Sequence, residues 1–442
     1  MPVRVNNNLV RSTLNTIGRH EVALRREMAG LRKRIEPEAP SVLITGGAGN
    51  VGSNIVIEAM RKGFNPSILD SLVNGHIEIC DITGVKFFPV DLREYCDVLG
   101  AMTEFYPKSP RHKPKAAVVH AASLIEVGQS EREKLRYAVN NIGGGLHLLD
   151  AMSEVGCLRL LFSNTAAIYR TSTKPLGERA LIEPKNIYAL TKAFLNHVLE
   201  SVEYGIRATS LNYFNVFGST DERCLREDHG IGSESHLIPI AIQVAIYNLI
   251  SRMGLKLSGY DAESIAQSYL EGNRRHLTVL GKDYATPDGT CIRDYIDMDT
   301  MLYYHMAALN RLFDCSSRSD YLRCNLGTKT GRSVLEIINT VENVIRKELG
   351  IPIMSKKVLE DLNSGERIIP VQIGDRRPGD ADKLVANPAK AQRLFGSRKT
   401  VENDFERAVA NAFWAMLYRP LGYSSPPAVS ERNPVLRFYT KN

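Results

Sequence analysis

The sequence predicts an α/β protein: a doubly wound parallel sheet followed by a smaller carboxyl-terminal α/β lobe. Three observations carry that prediction. Residues 41–70 read as strand, glycine-rich turn, helix and second strand. Strand-like and helix-like segments then alternate up to about residue 215. Beyond that point helices mix with short strands. Repeated β-α units need a parallel sheet with helices on its faces.

Val42, Leu43 and Ile44 form an apolar run rich in β-branched residues, which reads as a buried strand. Gly46, Gly49 and Gly52 follow in the spacing G-x-x-G-x-x-G, and Ile55, Ala59 and Met60 recur at helical spacing. Glycines between strand and helix let the backbone approach a pyrophosphate and aim the helix N-terminus at it. Ile68 and Leu69 read as the second strand, which Asp70 ends about 20 residues past the turn. A carboxylate there accepts hydrogen bonds from the two ribose hydroxyls of an adenosine and repels a 2′-phosphate. The stretch therefore reads as a dinucleotide site that takes NAD rather than NADP. An ordinary Gly-rich turn with a surface Asp is the alternative.

The remaining segments are read in order. Residues 1–40 form a basic extension, in which Ile17, Leu24, Met28 and Leu31 can share one helical face. Arg25, Arg26, Arg32, Lys33 and Arg34 surround that face. Such a helix suits a presequence or a membrane surface. Glu21, Glu27, Glu36 and Glu38 favour instead a helix packed on the domain or between subunits. The nucleotide domain is expected over 41–215, with further strands at 85–90, Ala116–His120, 158–163 and 208–212 and a helix over 140–154. Pro107, Pro110 and Pro114 mark 106–115 as a loop. The second domain, 216–421, carries helices at 237–250 and 335–349 and strands at Leu277–Leu280 and 322–326. Residues 255–273 look like a polar excursion on it. The tail, 422–442, is proline-rich and expected to be extended.

Composition narrows the class. The chain has 442 residues, enough for two cores, with 43% hydrophobic and 24% charged residues, as in soluble enzymes. Its net charge of +7 is scattered rather than blocked, which suits an anionic small substrate and gives no nucleic-acid patch. Seven cysteines without a C-x-x-C pair argue for reduced thiols in the cytoplasm, and against a disulfide framework or a metal site. No apolar run reaches membrane-spanning length and no secretory signal is visible.

The chemistry concentrates in 162–169 and 186–192. Thr165 lies just past a strand, and Tyr188 and Lys192 are four apart, so a helix turns both the same way. A phenol is a poor base at its usual pKa of ~10. A nearby ammonium and a positive nicotinamide ring would lower it. Tyr188 could then take a proton from a sugar hydroxyl as hydride leaves for NAD. Thr165 would hydrogen-bond the same oxygen, and Lys192 would also hold the nicotinamide ribose. In isolation, Y-x-x-x-K reads as a surface Lys beside a half-buried Tyr; behind a nucleotide turn and a strand-terminal Thr it carries weight.

With these residues in view, the chain resembles the extended short-chain dehydrogenase/reductases with a Rossmann sheet, and among them the UDP-glucose and UDP-N-acetylglucosamine 4-epimerases. The resemblance runs from Ser41 to about Leu421. It is carried by TGGAGNVGS, ILDSLVNG, VDL, VVHAAS, the NN pair at Asn140 and Asn141, NYFNVFG, HLIP, NLG, RRPGD and the specific run DYATPDGTCIRDYI. It implies that Asn50, Val51, Asp70, Asn74, Asp91, Leu92, Ala121, Ala122, Ser123, Asn140, Tyr188, Lys192 and Phe214 contact NAD. It implies further that Thr165, Asn215, Leu237, Thr278, Val279, Leu280, Arg293, Arg377, Asp380 and Leu384 hold the UDP-sugar. Arg293 and Arg377 have an independent case, since each can fork onto a diphosphate. Pairing with Asp294 or Asp380 is the structural alternative. A homodimer built near helices 140–154 and 188–204 is also implied.

Three positions depart from the pattern: Ile125 where a Lys is frequent, Arg170 where Gly is usual, and Thr165 in place of Ser. Related dehydratases place Asp-Glu after the Thr, and decarboxylases a Glu. Here Ala166 and Ala167 can move no proton. A site with only Thr, Tyr and Lys fits removal and return of hydride at one carbon, which is C4 epimerisation. An NAD-dependent nucleotide-sugar dehydrogenase and a non-catalytic NAD-binding protein are the alternatives.

Overall fold

The computed structural model describes residues 4–107, 115–201, 205–223, 225, 234–272, 274–314, 321–362, 364–377, 380–396 and 404–423. The middle of the 106–115 loop, Tyr204, Asn273, Pro378, Gly379 and the tail from residue 424, with Pro426, Pro427 and Pro434, lie outside the described residues.

Six strands come first: β1 (Ser41–Thr45), β2 (Asn65–Asp70), β3 (Lys86–Pro89), β4 (Ala116–His120), β5 (Arg159–Thr165) and β6 (Arg207–Tyr213). The chain then adds β7 (Asn215–Phe217), β8 (Leu277–Leu280), β9 (Ile292–Asp297), β10 (Tyr321–Leu326), β11 (Gly331–Ser333), β12 (Val371–Gly374) and β13 (Lys383–Leu384). The main sheet has seven strands in the order β3-β2-β1-β4-β5-β6-β10, all parallel. Its order reverses between β1 and β4, and a crevice opens at such a point beyond the carboxyl ends of the strands.

Both faces are covered, so the central strands are apolar throughout rather than alternating. β4 is buried at every position. On one face Val42, Ile44, Val119, Leu161 and Leu211 join a large core. On the other, Leu43, Val118, Leu160 and Phe162 pack with Leu148, Met152 and Leu195.

Residues 322–326, expected in the lobe, are instead the outer strand of the main sheet: β10 pairs with β6 from Tyr321↔Ala208 to Leu326↔Tyr213. The helix Met298–Asp314 leads back to it, also against the sheet. The lobe itself is built on β9. β11 runs antiparallel to it and β7 and β13 run parallel, while β8 and β12 form a separate pair. Phe214 alone separates β6 from β7, so the chain changes sheets within one residue of the main sheet's carboxyl edge.

The amino-terminal extension is a single helix, Asn7–Arg34, about 42 Å long at 1.5 Å per residue. It starts under an Asn6 side-chain cap at Leu9. Val10, Leu14, Ile17, Leu24 and Met28 are buried in the large core. The helix packs against Asn50–Arg61, Ile77–Thr83 and Asp404–Tyr418 of its own chain. Glu21 lies within that contact. It accepts from Tyr418 Oη at 2.9 Å, Arg419 Nη2 at 2.8 Å and Arg25 Nη2 at 2.8 Å. The 255–273 stretch is likewise integrated: it forms a helix, Ala262–Glu271, that buries Ile265 and Tyr269.

Candidate active site

The glycine turn joins β1 to the helix Asn50–Arg61. Gly46 has φ +69°, and a Cβ there would meet the Ala122 backbone at 2.7 Å, so only glycine lets the two loops touch. Asp70, at the end of β2, is buried. It accepts from Ala48 N at 3.0 Å and Leu72 N at 2.8 Å. Burial pushes its pKa above the usual carboxylate value, while those two amides and His76 oppose the rise. A Cβ on Gly75 would come within 2.8 Å of the Asp70 carboxylate, so the missing side chain keeps a cradle beside it. A turn closed to side chains, a carboxylate at the strand end and this cradle fit an adenosine diphosphate ribose.

The loop Ala121–Ala122–Ser123 follows β4 beside the turn, with Ala121 N donating to Thr45 O. Sequence reasoning passed over what holds it. Asn141 accepts from Leu124 N at 2.9 Å and donates to Leu124 O and Thr191 Oγ1, both at 3.0 Å. Asn140 donates to Asn141. Both lie in a π-helical stretch, Ala138–Gly143, that overlaps the start of the predicted 140–154 helix, and such wide turns cluster at functional sites. Asp91 is clasped by Arg93, whose Nη2 approaches at 2.6 Å and whose hydrogen bonds hold the Asp91 pKa low. Asn74 is exposed.

Three side chains meet at the carboxyl end of β5. Thr165 ends the strand and caps the short turn Ala166–Ile168 through Oγ1. Its amide donates to Asn164 Oδ1 at 2.8 Å, and Asn164 is tied in turn to Asn196 and Ser210. The helix Ile187–Glu200 starts under an Asn186 cap and carries Tyr188 and Lys192. Tyr188 is hydrogen-bonded to Thr165. Lys192 is buried, donates to Ser163 O at 2.9 Å and lies 5.0 Å over the Phe162 ring.

Burial dominates the electrostatics of the three groups. Burial raises the Tyr188 phenol to about 12, and the Thr165 hydroxyl, rather than Lys192, is the group that pulls it down. Burial also brings Lys192 to about 7. Lys192 gives one of its N–H donors to the Ser163 carbonyl, and with the phenol raised by burial the protein's own groups hold Tyr188 protonated at neutral pH. His120 beneath them is neutral: burial first, then the Lys192 charge, brings it to about 3.

On the lobe side, Arg293 and Asp380 pair with each other at 2.5 Å, and Arg293 also donates to Ile292 O and Ala381 O. This is the Asp380 pairing that stood as the structural alternative. Asp294 is not the partner; its carboxylate binds the amides of Thr328, Lys329 and Ala386. Arg377 is exposed and lines an open cavity of about 450 Å³ with Thr171, Lys185, Arg376 and Asp380. In β8 the strand alternation turns Val279 into the core, leaving Thr278 and Leu280 toward solvent. Asn215 is hydrogen-bonded to Tyr295. Leu237 begins the helix Leu237–Met253. Leu384 packs against the cluster of Ala166, Tyr169 and Phe214. Arg170, one of the departures, faces Glu183 at 3.6 Å.

A parallel sheet with a glycine turn at its switch point and a Thr-Tyr-Lys set at the next strand defines a nucleotide-dependent enzyme of the dehydrogenase/reductase type. Residues 42–321 match the NAD dependent epimerase/dehydratase family, and the chain belongs to that family. It is similar to UDP-glucose 4-epimerase 4 of Oryza sativa subsp. japonica, 33% identical over 405 residues, covering 88% of this chain and 94% of the relative. Among solved structures it is similar to UDP-glucose 4-epimerase from Brucella ovis in complex with NAD. That match has a TM-score of 0.67 and 30% identity, and covers 85% of this chain and 99% of the other. The enzyme from Bifidobacterium longum in complex with NAD+ and UDP matches with a TM-score of 0.68 and 27% identity, covering 87% and 100%. NAD is the cofactor of this family, and the cradle described above suits it.

Proposed function

We propose that the protein inverts C4 of a UDP-hexose, interconverting UDP-glucose and UDP-galactose, with the N-acetylated pair as additional substrates. The observation that carries the reading is Thr165, Tyr188 and Lys192 at one strand end, next to Ala166 and Ala167, which offer no second acid or base. The similarity to UDP-glucose 4-epimerases, including one bound to UDP, supports it. Bound NAD would supply the hydride acceptor and donor, and its positive ring would add to the Lys192 charge beside Tyr188. Tyr188 takes the proton of the 4-hydroxyl while Thr165 hydrogen-bonds the same oxygen, so a 4-ketose forms. The ketose turns about its phosphate link, and Tyr188 returns the proton once the opposite face is presented. Arg293 and Arg377 would hold the diphosphate, and Arg293 must then divide its N–H donors between Asp380 and the diphosphate.

The described cysteines are free thiols, which suits the cytoplasm. The exposed apolar residues Leu135, Val139, Leu190 and Phe194 lie on adjoining helical segments and suit a homodimer.

The test is incubation of the purified protein with UDP-glucose and no added NAD. UDP-galactose should appear, and Tyr188→Phe should lower turnover by ~10²–10⁴. Strict dependence on added NAD with net accumulation of NADH would instead establish the dehydrogenase.

A further inference from the structure

The amino-terminal helix and the residues after the helix Asp404–Tyr418 meet beside the glycine turn. Both lie outside residues 42–321, which match the family. A tight turn follows Tyr418: Gly422 N donates to Arg419 O at 3.1 Å, and Pro420 O accepts from Tyr269 Oη at 2.9 Å. The turn carries Tyr423 back into the molecule, where it is 3% exposed. Its ring lies 4.6 Å from the His76 ring, tilted by 31°. The Arg419 guanidinium, anchored by Glu21, lies 5.0 Å over the Tyr423 ring.

His76 ends the loop that borders the Asp70 cradle. Ala48 of the glycine turn pins that loop at both ends. Its amide donates to Asp70 Oδ2 at 3.0 Å, and its carbonyl accepts from His76 N at 3.0 Å. Between the pins, Leu72 holds φ +59°, a conformation that a leucine keeps only where its surroundings impose it. Ser71, Val73 and Asn74 are exposed and add little packing. Tyr423 covers the His76 end of this strained loop. An aromatic contact of this kind corresponds to about two- to tenfold in an equilibrium constant.

We propose that Tyr423 is a positioning residue for NAD: packed against His76, and braced by Arg419 and Glu21, it holds residues 71–75 in place beside the adenosine ribose. The role rests on Asp70 as the ribose-binding carboxylate. For the test, full-length protein loaded with NAD is diluted into an enzymatic trap that consumes free NAD, and the rate of NAD loss is followed. The affinity for UDP is measured on the same loaded protein. Tyr423→Ala and His76→Ala should each lose NAD about two- to tenfold faster, with UDP affinity unchanged. In the His76→Ala background, Tyr423→Ala should add nothing, because both remove the same contact. Tyr423→Phe keeps the ring and should recover most of the retention.

Losses that multiply in the double variant would overturn the proposal. So would a fall in UDP affinity by the same factor as NAD retention, which a general loosening of the fold would produce. A Tyr423→Phe protein with a wild-type melting curve that loses NAD as fast as Tyr423→Ala would also overturn it. Asp70→Ala separates this role from that of the carboxylate itself. If Asp70→Ala retains NAD like the wild type, the ribose contact is refuted and the brace with it. If Asp70→Ala loses NAD quickly and Tyr423→Ala does not, the brace alone is refuted.

Discussion

Leu384 stands one packing layer from Thr165, through the Ala166 and Phe214 cluster, and is half-buried. We propose that Leu384 borders the sugar, where its size would set how wide a turning sugar can be. Leucine is branched and shorter than tyrosine, so an acetamido group should have room. Activity on UDP-N-acetylglucosamine is therefore expected beside that on UDP-glucose. Leu384→Tyr should depress the N-acetylated reaction far more, at an overpacking cost of ~1–3 kcal/mol. Measuring both sugars on both proteins decides it, and an equal loss would exclude Leu384 as the gate. At this scale the catalytic set was legible because Tyr188 and Lys192 are one helical turn apart. The contact of Tyr423 with His76 was not, since residues so far apart in the chain leave no local pattern. The effect of burial on Tyr188 was hidden as well. Sequence shows which charges are near, but not how much water has been removed from them.

The amino-terminal helix packs on its own chain, as its glutamates favoured. Its apolar stripe was readable from Ile17, Leu24 and Met28, but its partners were not: Tyr418 and Arg419 lie 397 and 398 positions from Glu21. Burial alone would raise the Glu21 pKa, but Arg419, Arg25 and Tyr418 outweigh it, and the net shift is downward. A carboxylate held below its unfolded value of about 4.3 stabilises the fold above that pH. The contribution disappears as pH falls through the lower folded value. Glu21→Gln takes the counterion from a buried guanidinium and should cost ~3–5 kcal/mol in denaturant melts near neutral pH. The difference from wild type should begin to narrow only below the unfolded value of about 4.3, and close as pH falls through the lower folded value, where both chains lack the charge. A gap that stays constant to the acid end of the range in which the fold survives would show that Glu21 acts by shape alone.

The whole molecule is not two consecutive domains. Strand β10 was legible as a short strand, but nothing from Leu322 to Leu326 says which sheet it will join. Parallel pairing with β6 is settled only by the returning helix Met298–Asp314, whose buried residues include Met301, Leu302 and Leu309. A fragment ending at residue 215 would leave β6 as a bare sheet edge, and such edges recruit other chains. It should aggregate or fail to retain NAD, whereas a fragment ending at 326 should be more soluble; sedimentation of both decides it. The order of events during synthesis follows from the same crossing. About a hundred residues separate the end of β6 from the start of β10, a delay of about 5–20 s at about 5–20 residues per second. Throughout that interval the nascent chain already holds Thr165, Tyr188 and Lys192, yet the outer edge of β6 has no neighbour. The yield of active protein in a given host then becomes a race between elongation and whatever chaperone shields β6.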